Sequence, residues 1–162
     1  MRVPLMSEEH FDRLLQDRGI VRNAAKIKSV QINAQFLLDL KSEHGSAALF
    51  FANWADADYV GLLDVLKKRA SHLGGDAAGR FLRGIGEPAF ITSPDMVAAL
   101  IREGAIDRSP TDKRDLATIQ VAFNRWSSES GRDLTAISRI LAMSVDSSEA
   151  TSSGHRSDRR PP

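Results

Sequence analysis

Apolar residues recur at three- and four-residue steps through most of the chain, and no stretch alternates apolar with polar residues in the manner of a half-buried strand. The pattern predicts an all-α fold. Ser7 can cap a first helix reaching about Asp17, with Phe11, Leu14 and Leu15 on one face and Gly19 ending it. A long helix follows from about Arg22 to Glu43, whose predicted buried stripe is Ile27, Val30, Ala34, Leu37 and Leu38, with His44 and Gly45 as the stop. Ser46 to Phe51 reads as a short helix, and Asp56 or Asp58 can cap another from Tyr59 to about Ser71 carrying Val60, Leu63 and Leu66. After Gly74 and Gly75 a short helix spans roughly Ala77 to Arg83 and meets the breaker-rich loop from Gly84 to Pro88. Ser93 starts the next helix, with Pro94 at its favoured first position and Gly104 beyond its end. Thr111 to Ser130 makes a second long helix with Leu116, Ile119, Phe123 and Trp126 as its stripe, and Leu134 to Met143 completes the set. Residues 1–145 are thus expected to form one helical domain, whereas 146–162 carry Ser, Thr, Asp and Arg with little apolar content and are expected to be a disordered tail.

Composition narrows the function classes more than it names one. The 162 residues, 42% hydrophobic and 27% charged, suffice for a domain with a real core. A net charge of +1 means that any attraction to a polyanion must come from local clustering. Cys is absent, which removes disulfides, thiolate zinc sites, cysteine-ligated clusters and a cysteine nucleophile together. His10, His44, His72 and His155 do not form a metal-spaced set, so neither a metal nor another cofactor is expected. No apolar run approaches the roughly 20 residues of a membrane helix, and the N-terminus has no signal-peptide core. A cytoplasmic location is the simplest expectation.

Local charge clustering occurs between Leu66 and Asp95. Lys67, Lys68, Arg69, His72 and Arg80 flank the Gly74-Gly75 turn, where paired glycines permit positive φ and let backbone amides approach a phosphate. These residues are the candidate DNA-binding set. The same turn also suits a plain helix corner with a glycine cap. Asp95, at the second position of the helix opened by Ser93 and Pro94, is the candidate catalytic carboxylate; an acid in a first turn is equally what the helix dipole favours. Trp54 and Tyr59 can line a base pocket by stacking or fill a helix corner, and Arg22 and Asn23 can touch DNA or that pocket, or simply cap and pair at the start of the long helix. Arg156, Arg159 and Arg160 can add nonspecific DNA affinity or lie in a solvated tail.

The order of helix, basic residues, Gly-containing hairpin, helix, loop and Asp at a helix start resembles the helix-hairpin-helix superfamily of DNA glycosylases. Met6 to Leu40, MSEEHFDRLLQDRGIVRNAAKIKSVQINAQFLLDL, is similar to the 3-methyladenine DNA glycosylase I family, with Asp17, Ile20, Val21, Arg22 and Asn23 fitting its signature ahead of a long helix containing Lys26 and Ile27. The resemblance spans roughly residues 3–145 and is most specific from Asp17 to Asn33. It implies hydrolysis of the N-glycosidic bond of alkylated bases such as 3-methyladenine, by a monomer bound to double-stranded DNA, with Asp95 at the place of the superfamily's catalytic aspartate. Strand-cutting members carry a Lys where this chain has Ala77 and Ala78, so lyase activity is not expected. The chain also departs from the family. Members carry a further segment upstream with an aromatic and acidic base pocket, so part of the pocket is expected to be missing here. The zinc-binding Cys is absent, and the hairpin reads Leu73-Gly74-Gly75-Asp76 rather than Gly-hydrophobic-Gly. A non-catalytic helical DNA-binding or interaction module derived from a truncated glycosylase is therefore the alternative.

Overall fold

The computed structural model describes residues 3–145, apart from the side chain of Pro4. The tail predicted for 146–162 lies outside the described residues. Among those residues there is no strand, and eight α-helices follow one another: α1 (Glu8–Gln16), α2 (Ala24–His44), α3 (Ala47–Ala52), α4 (Tyr59–Arg69), α5 (Asp76–Ile85), α6 (Pro94–Arg102), α7 (Lys113–Ser130) and α8 (Leu134–Met143). Two short 3-10 helices, Val3–Leu5 and Asp56–Asp58, precede α1 and α4. The protein is all-α, as the periodicity predicts.

Helix starts lie where short polar side chains can take up the free amides of a first turn. Ser7, Asn23, Ser46, Ser93, Asp112 and Asp133 are the N-caps of α1, α2, α3, α6, α7 and α8, each accepting from a backbone N–H two or three residues on. Gly131 ends α7 in the left-handed region at φ 67°, a conformation that suits glycine.

The chain divides into two compact units. The first holds the residues up to Ala55 together with Gly61–Phe81. In it α2 is the central element, packed by α1, α3 and the first 3-10 helix. Its buried residues are Ile27, Ser29, Phe36 and Leu40, which corrects the predicted stripe. Val30, Leu37 and Leu38 are 55%, 39% and 46% exposed, and of the five predicted residues Ile27 alone is buried. The physical reason is that α2 carries apolar residues around most of its circumference, so periodicity does not select one face. Phe36 and Leu40 take the buried positions instead, on the side of α2 that meets its neighbours.

The second unit holds Asp56–Val60 and the residues from Leu82 onward. Here α8 packs on α6 and α7, around Met96, Leu100, Ile119, Phe123 and Leu134, each fully or almost fully buried. Trp126 is half-buried with its ring edge against Phe123 at 5.7 Å, and Phe123 in turn packs on Phe90. Buried Gln120 fixes the Asp56–Val60 segment to α7: its Oε1 accepts from Val60 N–H at 2.8 Å and its Nε2 donates to the Ala57 carbonyl. Asn124 donates to the same carbonyl at 3.0 Å.

Candidate nucleic-acid interface

The basic end of α4 is built differently from a simple row of free cations. Lys67 is exposed. Lys68 donates to Asp64 at 2.7 Å across one turn, with most of its side chain still in solvent. Arg69 is committed further: its two terminal nitrogens donate to the two carboxylate oxygens of Glu43 at 2.8 and 2.6 Å, and its guanidinium lies 5.4 Å from the centre of the Phe36 ring. A bidentate pair stacked on an aromatic face uses the planar fork that distinguishes Arg from Lys. The Arg69 hydrogen bond holds the Glu43 carboxyl below its ordinary value, and the same bond raises the Arg69 pKa. Arg69 thus ties α4 to α2, an architectural role that a count of basic residues does not show.

Just beyond α4 the chain is held at a second point on α2. Asn33 Oδ1 accepts from Ser71 N–H at 2.7 Å, and Asn33 Nδ2 donates to the Ser71 carbonyl at 3.0 Å. The next residue, His72, has φ 58°, a left-handed conformation unusual for a residue with a Cβ. Gly75 follows at φ 56°, and α5 begins at Asp76. His72, Gly74, Gly75 and Arg80 are all exposed. The turn therefore presents Lys67, His72 and Arg80 to solvent beside its glycine backbone, with Lys68 exposed though paired. Asp76 stands in the same turn and adds a negative charge.

The proposed base-pocket residues do not share one environment. Trp54 is half-buried in the first unit with its ring 5.4 Å from Phe50, which also meets His44 and Phe51. Arg22 is exposed. Asn23 uses its side chain to cap α2, accepting from Lys26 N–H at 3.0 Å, which favours the capping role over a pocket role. Tyr59 belongs to the second unit and is a core residue: it is 2% exposed, donates its hydroxyl to the Phe90 carbonyl at 2.8 Å and packs on the Phe90 ring. No ring face remains on which a base could stack, so its assignment to the pocket is corrected.

Asp95 is the second residue of α6 and is half-buried. Ser93 caps the helix by accepting from Met96 N–H, which leaves the Asp95 carboxylate free of capping duty. The extended run leading to it is pinned from α8. Ala89 N–H donates to Thr135 Oγ1 at 2.9 Å, Ile91 N–H to Ser138 Oγ at 3.4 Å, and Arg83 donates through two nitrogens to the Ala89 carbonyl. The segment entering α6 is therefore held by hydrogen bonds from α5 and α8. Sequence reasoning missed Asn33, Glu43, Gln120, Thr135 and Ser138. The available signal was polar residues interrupting apolar helical stretches, as Asn33 does between Ile32 and Ala34.

Residues 1–69 match the family model of the methyladenine glycosylases. The matched segment ends at Arg69, the last residue of α4. It includes Arg22, Asn23, Asn33, Glu43, Trp54 and the Lys67–Arg69 basic run, and it stops ahead of His72, the two turn glycines, Arg80 and Asp95. No curated protein and no solved structure matches the chain.

Proposed function

We propose that this protein is a monofunctional DNA glycosylase of base excision repair, acting as a monomer on alkylated adenine, 3-methyladenine foremost, in double-stranded DNA. The observation that carries the reading is the methyladenine glycosylase match over residues 1–69. The exposed cations beside the Gly74-Gly75 turn support duplex binding through that hairpin. A base alkylated at N3 is cationic and leaves readily once rotated out of the stack. The bond from C1′ to the base breaks, the base departs neutral, and water adds to C1′ with release of a proton. Asp95 is the carboxylate we assign to the sugar's developing positive charge or to orienting that water. Ala77 and Ala78 offer no amine for strand cleavage, so the product is an intact strand with an abasic site. The reading fits a cytoplasmic protein that needs no cofactor.

The test separates binding from chemistry. Asp95→Asn is expected to abolish release of 3-methyladenine from methylated duplex while duplex affinity stays within about twofold of wild type. Unchanged release in Asp95→Asn removes that residue from catalysis. One observation favours a second reading, a non-catalytic helical DNA-binding module: the family match ends before the candidate carboxylate Asp95. Duplex binding without any base release supports that module.

A further inference from the structure

We propose that Asn33 is a positioning residue for DNA binding, preorganising the hairpin turn by clamping both backbone groups of Ser71. The proposal rests on the reading of that turn as the DNA-binding element.

Three observations converge on it. The first is the chemistry of the clamp. One carboxamide satisfies the N–H and the carbonyl of one residue that has just left α4, across 38 positions of sequence. The carboxamide of Asn or Gln holds an acceptor and a donor side by side on one carbon at neutral pH, and the shorter Asn reaches from a helix already packed close. The second is position. Asn is a poor helix former, yet Asn33 stands in the middle of the long helix α2, half-buried, where Ala would serve the helix better. The third is the backbone just past the clamp. His72 takes φ 58° although it carries a side chain, and such a conformation persists where the surroundings over-determine it. Asn33 fixes the residue immediately before it, and the Arg69–Glu43 pair fixes the chain two residues earlier. The turn from His72 to Gly75 thus enters from a doubly moored stem. A preformed turn spends less of its interaction with phosphate on ordering itself.

A double-mutant cycle with Gly75 provides the test. Gly75 has φ 56° with open space around its Cβ position, so Gly75→Ala disturbs the turn through backbone strain alone. Duplex affinity is measured by fluorescence anisotropy on unmodified DNA for wild type, Asn33→Ala, Gly75→Ala and the double variant. Asn33→Ala is expected to weaken binding about tenfold. The double variant is expected to be little weaker than the weaker single one, because both changes release the same turn. Amide exchange at His72 to Gly75 should accelerate in Asn33→Ala while protection in α2 is retained. A purely structural role predicts something else, namely additive losses and loss of protection throughout α2. Should Asn33→Ala fail to fold, Asn33→Gln, which keeps the acceptor and the donor on a stem one methylene longer, is measured in its place and is expected to show a smaller but measurable loss. Wild-type affinity in Asn33→Ala, or additive losses in the cycle, overturns the proposal. Absence of duplex binding by the wild type overturns the hairpin reading itself and this inference with it.

Discussion

Two polar residues show how much of this architecture depends on single side chains. Gln120 is buried and satisfies Val60 N–H and the Ala57 carbonyl together. Gln120→Leu keeps the volume but leaves Val60 N–H without its partner inside the protein. The expected loss is about 1–3 kcal/mol in urea unfolding, the penalty of an orphaned buried group. Glu43 acts at the surface and its contribution depends on pH. Its carboxyl is held below the ordinary value of 4.5 by the Arg69 hydrogen bond, so it binds its proton less readily folded than unfolded. The stability it adds is therefore present above about 4.5 and is lost as pH falls through the depressed folded value. Glu43→Gln should lower the thermal midpoint at neutral pH and flatten the decline on acidification. An identical decline in variant and wild type would remove the pair from the pH dependence.

The helices were legible because their ends are chemical. Six polar N-caps, the proline opening α6 and glycine near helix ends mark boundaries that a reader can find without coordinates. Facing was legible only where one side of a helix is polar. On α7 the Leu116, Ile119, Phe123 and Trp126 stripe is buried or half-buried as expected, whereas on α2 the apolar residues surround the helix and the stripe was misassigned. The site was legible in part for a related reason. Counting cations finds Lys67, Lys68 and Arg80, but not that Arg69 is spent on Glu43, since that pairing depends on how α4 meets α2. Likewise Tyr59 reads as a stacking residue until its hydroxyl is found on the Phe90 carbonyl. The α2 assignment has a direct check. Leu40→Ala should cost about 2–5 kcal/mol as a core truncation. Leu37→Ala and Leu38→Ala should stay near the about 0.5 kcal/mol typical of surface positions. Equal losses at the three sites would contradict the described orientation of α2.

For the whole molecule, the formal net charge of +1 supplies little long-range attraction to a polyanion, so the proposed duplex binding relies on the local cluster beside the turn. Replacing Lys67, Lys68 and Arg80 together by Ala should weaken duplex binding. It should also reduce the slope of log affinity against log salt by ~0.9 for each phosphate that the variant no longer neutralises. Arg69 is left in place in that variant because it holds α4 to α2. The family model matches residues 1–69, while the candidate carboxylate Asp95 lies in the second unit, beyond the matched residues. Base release, rather than DNA binding, therefore separates the proposed enzyme from a module that only binds. Chromatography of the bases freed from methylated duplex by stoichiometric wild-type protein tests for it most directly. An enzyme should free 3-methyladenine well above the spontaneous background and leave the strand uncut; background-level release by protein that binds the duplex would rule the enzyme out.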